Sequence, residues 1–202
     1  LDLCPLSRLG FVSNSQTDND ADGCEDATED ADDDNDGYFD TGDDCPLESG
    51  ASSNGLVGCL DTDYDGYSDT TDEFPLDPSQ WSDTDNDGFG DELRGTDGDY
   101  CPEVAGSSTI DRKGCLDSDG DGYSDPDSLW STNLGGDAFP EDSTQHFDGD
   151  GDGFGDNPEG YQPDSCPETF GTSTADIFGC RDSDGDGWSD AADAFVDDNS
   201  QW

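Results

Sequence analysis

Apolar residues are scarce in this sequence. Only 28% of its 202 residues are hydrophobic, where an ordinary globular domain has roughly 45–50%. No stretch approaches the ~18 consecutive apolar residues of a membrane-spanning helix, so no direct membrane insertion is expected. Basic residues are scarcer still. Five Lys and Arg face 55 Asp and Glu, for a formal net charge of −50. That balance excludes nucleic acid as a partner and argues against direct binding to anionic lipid. The single histidine, His146, leaves no Ser/His/Asp set, no Cys/His pair and no histidine-faced metal site, so no enzyme is expected. Methionine is absent, and so is a secretory leader, which points to a mature product or a piece of a longer chain. No N-x-S/T sequon occurs, so N-glycosylation is not expected.

By charge and apolar content alone the chain reads as disordered. Its acids, however, recur at fixed spacing. Seven loops begin at Asp18, Asp32, Asp61, Asp83, Asp117, Asp148 and Asp182 and read DNDADGCED, DDDNDGYFD, DTDYDGYSD, DTDNDGFGD, DSDGDGYSD, DGDGDGFGD and DSDGDGWSD. Each carries Asp at positions 1, 3, 5 and 9 and Gly at position 6. Two carboxylates ~4 Å apart repel by about 4 kcal/mol at an effective dielectric near 20. Each loop crowds four or five of them, so a polyvalent cation is needed to hold that geometry.

The pattern suits Ca²⁺, a hard cation that takes 6–8 oxygens. Candidate carboxylate ligands at positions 1, 3, 5 and 9 are Asp18, Asp20, Asp22 and Asp26; Asp32, Asp34, Asp36 and Asp40; Asp61, Asp63, Asp65 and Asp69; Asp83, Asp85, Asp87 and Asp91; Asp117, Asp119, Asp121 and Asp125; Asp148, Asp150, Asp152 and Asp156; and Asp182, Asp184, Asp186 and Asp190. The Gly at position 6 allows the sharp turn that brings a position-7 carbonyl to the ion: Tyr38, Tyr67, Phe89, Tyr123, Phe154 and Trp188. Asp43, Asp72, Glu159 and Asp193 supply a twelfth-position acid. Arg94 and Ser128 occupy that position in the fourth and fifth loops, where Asp97, Asp99 and Asp137 are the nearest substitutes. Several Ca²⁺ ions are expected, at least about one per loop. Mg²⁺ prefers octahedral sites with retained water, and Zn²⁺ wants Cys or His.

Loops alternate in kind. One kind leads into Cys-Pro (Cys45, Cys101, Cys166) and the other follows Gly-Cys (Cys59, Cys115, Cys180) before a Phe segment ending at Trp81, His146 or Trp202. The expected organisation is an irregular N-terminal piece, 1–31, and three two-loop modules, 32–82, 83–147 and 148–202. Asp2-Leu3-Cys4-Pro5 matches Asp164-Ser165-Cys166-Pro167 without a preceding loop. The chain therefore looks cut from a longer array, or from one subunit of an assembly that continues head-to-tail. Cys45–Cys59, Cys101–Cys115 and Cys166–Cys180 are equally spaced, which favours local disulfides, with Cys4–Cys24 left to pair. Metal binding by these cysteines is the alternative reading. An oxidising, extracellular or cell-surface setting follows from the disulfide reading. The position-7 aromatics, with Phe74, Phe139 and Phe195, are expected to form small cores between loops; sugar stacking is the alternative. His146 substitutes structurally for Trp. The serines and threonines between the cysteines read as solvated turns, or else as O-glycosylation sites.

The pattern D-x-D-x-D-G-x-x-D-x-x-D-x-C-P, complete at Asp32–Pro46 and repeated at Asp61–Pro75 with Phe74 in the cysteine's place, resembles the thrombospondin type 3 repeat. The resemblance covers nearly the whole chain from Asp18. It implies a mostly irregular, elongated, calcium-stabilised array with little helix or strand. It also implies more than one ion per repeat and disulfides linking neighbouring repeats. The departures are inserts after Asp91 and Asp125, and Cys24 at position 7. The helices that flank an EF-hand loop are missing, because the flanks carry Pro and Gly. Two functions are expected to compete: a stiff extracellular rod, stalk or fibril segment, and a calcium-dependent module that binds glycans or cell-surface proteins.

Overall fold

Regular secondary structure needs apolar periodicity that this chain lacks. In the computed structural model, which describes Cys4 and residues 11–202, there is almost none. Among the described residues the regular elements are one 3₁₀ turn, Thr132–Leu134, and three isolated parallel bridges. The bridges join Asn54 to Tyr67, Gly90 to Gly98 and Asp164 to Phe178. The short apolar runs near residues 55–57 and 176–178 thus give single bridges at most. The match between Asp2-Leu3-Cys4-Pro5 and Asp164–Pro167 lies outside the described residues except at Cys4.

The fold is mostly irregular and disulfide-rich. Disulfides join Cys4–Cys24, Cys45–Cys59, Cys101–Cys115 and Cys166–Cys180, the pairs that spacing favours. Each closed loop contributes about 3 kcal/mol in the chain-entropy model. The chain divides into two compact units. One comprises Leu1–Thr84 with Gly90–Gly98, the other Asp85–Phe89 with Asp99–Trp202.

What is buried inside these units is unusual. Among the described residues the buried hydrophobic side chains are half-cystines: Cys24, Cys59, Cys115 and Cys180. The rest of the buried set is polar, led by Gln80, Gln145, six serines and several aspartates. Hydrogen bonds therefore do the ordering. Ser52, Ser108 and Ser173 are 0% exposed. Each accepts the amide of the second cysteine of its disulfide, Cys59, Cys115 or Cys180. These three serines are neither solvated nor open to a glycosyl group, because the turn closes around their hydroxyls, whereas their neighbours Ser53, Ser107, Thr109, Thr172 and Thr174 are exposed.

Every Asp-rich loop is tied off in one way. The position-9 amide donates to the carbonyl just before position 1: Asp26 to Thr17, Asp40 to Ala31, Asp69 to Leu60, Asp91 to Ser82, Asp125 to Leu116, Asp156 to Phe147 and Asp190 to Arg181. The position-9 carboxylate then accepts the position-2 amide in all seven. Between these ties the backbone turns left-handed twice. Position 6 is Gly throughout, with φ from 94° to 102°. Position 4 is left-handed as well, whether it is Ala21, Asn35, Tyr64 and Asn86 or Gly120, Gly151 and Gly185.

Aromatic rings pack in pairs rather than in one core. Tyr67 stacks on Trp81 (centroids 5.3 Å), Tyr123 on His146 (4.0 Å) and Trp188 on Trp202 (6.5 Å). His146 thus takes the place of Trp. Phe154 meets Phe178 at 5.7 Å, and Phe195 is 48% exposed, so it forms no such core.

The left-handed position 4 makes a stability prediction. An L-residue there costs roughly 1–2 kcal/mol, and nothing lies within 4 Å of a Cβ built on Gly120. Gly120→Ala is expected to destabilise by about 1 kcal/mol through conformation alone, while Tyr64→Gly is neutral or stabilising by up to about 1 kcal/mol. Urea unfolding midpoints check both. Equal effects of opposite expectation, or a stabilising Gly120→Ala, contradict the assignment.

Candidate metal centres

Successive aspartates in each loop sit on overlapping turns whose backbone amides their carboxylates accept. The position-3 Oδ1 accepts the position-5 amide, as Asp63 does from Asp65 and Asp150 from Asp152. The position-5 Oδ1 accepts the position-7 amide in all seven loops, as Asp65 does from Tyr67 and Asp186 from Trp188. The position-1 carboxylate takes two amides, those of positions 4 and 6, as at Asp61, Asp117, Asp148 and Asp182. The backbone amides thereby aim the aspartates inward before any ligand is considered.

The oxygens left over converge. Carboxylate oxygens of Asp18, Asp20 and Asp22, of Asp32, Asp34 and Asp36, and of Asp61, Asp63 and Asp65 lie within 4.8 Å of one another. Buried oxygens with no hydrogen-bond partner recur at position 3 (Asp34, Asp63, Asp119, Asp150, Asp184) and at position 5 (Asp65, Asp186). In loops that lead to Cys-Pro the second position-5 oxygen instead accepts a glycine amide: Asp36 from Gly50, Asp87 from Gly106 and Asp152 from Gly171. The carbonyls of Tyr38, Tyr67, Tyr123, Phe154 and Trp188 accept no amide among the described residues, so they remain available as oxygen donors. In the fourth loop Asp83 and Asp91 belong to the first unit, and Asp85, Asp87, Phe89 and Asp99 to the second.

The closing acid is found by counting back from the next Cys or Phe, not forward from the loop. Asp43, Asp72, Asp99, Asp137, Asp164 and Asp193 each accept, through Oδ1, the amide two residues on: Cys45, Phe74, Cys101, Phe139, Cys166 and Phe195, at 2.6–2.7 Å. The second oxygens of Asp43, Asp137 and Asp164 are buried without a partner. Glu159, the expected twelfth-position acid of the sixth loop, lies outside this pattern. Glu159 is exposed, and buried Asp164 stands in its place, because a third insert, 157–163, follows Asp156. Asp97 is likewise exposed, whereas Asp99 and Asp137 are 2% and 1% exposed. Gly58 and Gly179 explain the Gly-Cys pairs: a Cβ there would lie 2.2 Å from Asp43 Oδ1 and 2.1 Å from Asp164 Oδ1.

Position 9 also ties the loop to itself. Where position 2 is Thr or Ser, its hydroxyl binds the second position-9 oxygen: Thr62 to Asp69, Thr84 to Asp91, Ser118 to Asp125 and Ser183 to Asp190. Asp69, Asp91, Asp125 and Asp190 thus clamp the loop with both oxygens. Near the first loop, Asp26, Asp30 and Asp33 form a further cluster that includes no position-1, -3 or -5 acid. Asp30 and Asp33 escape a reading based on the loop motif alone, because Asp30 lies between two copies of it and Asp33 sits at position 2, which the motif leaves open.

Burial and like charge leave their mark on the acids. Burial, then the charges of Asp121, Asp119 and Asp125, pushes Asp137 up to about 7. Burial, then Asp40, Asp26, Asp30 and Asp20, pushes Asp33 up to about 6. Asp34, Asp63, Asp119, Asp164 and Asp184 are raised for the same reasons, burial first. Such groups want a cation. The donors are all oxygen, the cysteines are all in disulfides, and His146 is stacked on Tyr123. The set fits a hard divalent cation and not zinc.

No family model matches the chain, and no curated protein matches it significantly.

Two outcomes follow. Asp164→Asn is expected to weaken cation binding at the sixth loop by about tenfold or more, ~1.4 kcal/mol per decade, while Glu159→Gln leaves it unchanged; isothermal titration of both variants separates them. The raised carboxyls also set a pH dependence. A folded acid with a raised pKa keeps a proton that the unfolded chain has lost, so without cation stability falls as pH rises from about 4 through 7. Cation binding expels that proton, so affinity falls as pH drops through the same window. Titrations near pH 6 in buffers of different ionisation heat should show proton release, and zero release contradicts the assignment.

Proposed function

We propose that this chain is a secreted, calcium-loaded structural repeat protein, a member of the thrombospondin type 3 kind, forming a stiff rod, stalk or fibril segment outside the cell. The observation that carries the reading is the set of buried, partnerless carboxylate oxygens at positions 3, 5 and the closing acid. Among the described residues the buried hydrophobic side chains are half-cystines, so those oxygens are a large part of the interior. Leaving them unpaired costs several kcal/mol per charge, and Ca²⁺ supplies the missing partner. Positions 1, 3 and 5, the position-7 carbonyl and the closing acid would hold it, and position 9 would keep the loop shut around it. Binding free energy is then folding free energy, and the ion sites stand where a hydrophobic core would.

Four disulfides suit an oxidising compartment, and no helix among the described residues is long and apolar enough to cross a membrane. The disulfides favour a place outside the cell. Head-to-tail contact with further copies or further repeats fits the two-loop periodicity of the sequence, since repeat arrays bury surface only between neighbours. A recognition role is the second reading. Exposed aromatics outside the ring pairs favour it, notably Tyr64 at 78%, Tyr161 at 67% and Phe170 at 60%. They offer faces on which a glycan or a cell-surface protein could stack.

Chelation tests the leading reading. EGTA is expected to abolish protease resistance and change the circular dichroism spectrum, and excess Ca²⁺ to restore both. An unchanged spectrum and unchanged resistance after chelation would remove the proposal. For the second reading, Tyr161→Ala in the calcium-loaded protein should weaken adhesion to a glycan surface without lowering thermal stability.

A further inference from the structure

We propose that Gln145 is a positioning residue that couples cation binding at the fifth loop to closure of the sixth, an inference that rests on the calcium reading above. All the residues involved lie in the second unit. Gln145 is 1% exposed, among the largest fully buried side chains described. Its amide group is fully engaged. Nε2 donates to the carbonyls of Asn157 and Tyr161, and Oε1 accepts the Asn157 amide. These three bonds gather the insert 157–163, which separates Asp156 from its closing acid Asp164. Thr144 adds to the hold: its carbonyl accepts from Asn157 Nδ2, and its hydroxyl accepts the Tyr161 amide. The site is shaped for this side chain. A Cβ on Gly155 would lie 2.1 Å from Oε1, and one on Gly160 would lie 2.4 Å from Nε2.

The other end of the connection is the fifth loop. Asp121, at its position 5, accepts the Tyr123 amide, and the Tyr123 ring lies flat on His146, the residue next to Gln145. The His146 carbonyl accepts the amide of Ala138, the neighbour of the closing acid Asp137. The Phe147 carbonyl accepts the amide of Asp156, the clamp of the sixth loop. A cation that orders Asp121 and Asp137 therefore orders the backbone on both sides of Gln145. Gln145 in turn holds the insert that presents Asp164 to the sixth loop. In the first unit Gln80 makes the same three bonds to the insert 92–98, to Glu92 O, Thr96 O and Glu92 N. The arrangement is thus a device used twice. A large insert placed in a closing segment would ordinarily weaken a site by leaving its last ligand on a loose tether. A buried amide from the preceding module removes that looseness and makes the two sites interdependent, and by linkage the dependence is mutual.

The test is a double-mutant cycle on the full chain, read by hydrogen exchange and mass spectrometry along a Ca²⁺ titration. Peptides covering 117–125, 157–166 and 182–190 are followed. Asp121→Asn disables the fifth loop. It is expected to raise the Ca²⁺ midpoint for protection of 157–166 about tenfold, the scale of losing two or three buried hydrogen bonds. In a Gln145→Met background, which keeps the length of the side chain and loses the bonds, Asp121→Asn should no longer move that midpoint. Gly155→Ala should reproduce the uncoupling from the receiving side, which guards against a folding defect peculiar to one variant. The proposal is overturned if Asp121→Asn leaves the 157–166 midpoint within twofold of wild type. It is equally overturned if the shift is the same size with and without Gln145. Absence of calcium-dependent protection in all three wild-type peptides overturns the calcium reading too, and so is distinguishable from failure of the coupling alone.

Discussion

Like-charged carboxylates held close together are the constraint on which the rest of this structure depends. In water a chain of net charge −50 would expand. Here aspartates are instead turned toward one another, with triplets of oxygens inside 4.8 Å in the first three loops. Backbone amides bring them there. At position 3, and at position 5 in Asp65 and Asp186, an amide takes one oxygen and leaves its twin buried without a partner, so the hydrogen-bond pattern that forms the turn also leaves oxygens for a ligand set. The left-handed residues at positions 4 and 6 are the geometric condition for that pattern, since they direct consecutive amides inward.

This arrangement reverses the usual relation between core and site. In most domains an apolar core holds a polar site in place. Among the described residues the buried side chains are those of half-cystines, serines, glutamines and aspartates, and aromatic rings pack in pairs. A buried serine holds the second cysteine of three of the four disulfides, and a buried glutamine holds each of the inserts 92–98 and 157–163. The remaining insert, 126–136, uses a different device. Trp130 donates to Asp111 at 3.0 Å, and Arg112 lies over the Trp130 ring and pairs with Asp127 at 2.7 Å. Three inserts of unlike sequence thus return a closing aspartate to the same kind of turn.

Position 9 shows how one residue type carries two tasks. Aspartates at positions 1, 3, 5 and 9 look alike as letters, yet the ninth tends its own loop. With Thr or Ser at position 2, both of its oxygens are engaged, and Asp190 is also 3.2 Å from Arg181. An aspartate so occupied clamps its own loop, while the closing acid comes from outside the nine-residue motif.

Much of this was legible in the sequence because it is local. The loop motif, the glycine at position 6, the absence of helix and strand, and the cystine pairing all depend on spacings of a few residues. The carboxylates expected at positions 1, 3 and 5 lie where the motif puts them. The substitution of His146 for Trp was legible as well, since the module positions align. What only the tertiary structure decided concerns residues brought together across inserts. Asp164 in place of Glu159, the burial of Asp137 and Asp99 over Asp97, and the docking of Gln80 and Gln145 depend on how a variable segment folds back. The physical reason is that a turn is specified by adjacent amides and side chains, whereas the closing of an insert is specified by partners twelve or more residues away. No short-range spacing records those partners.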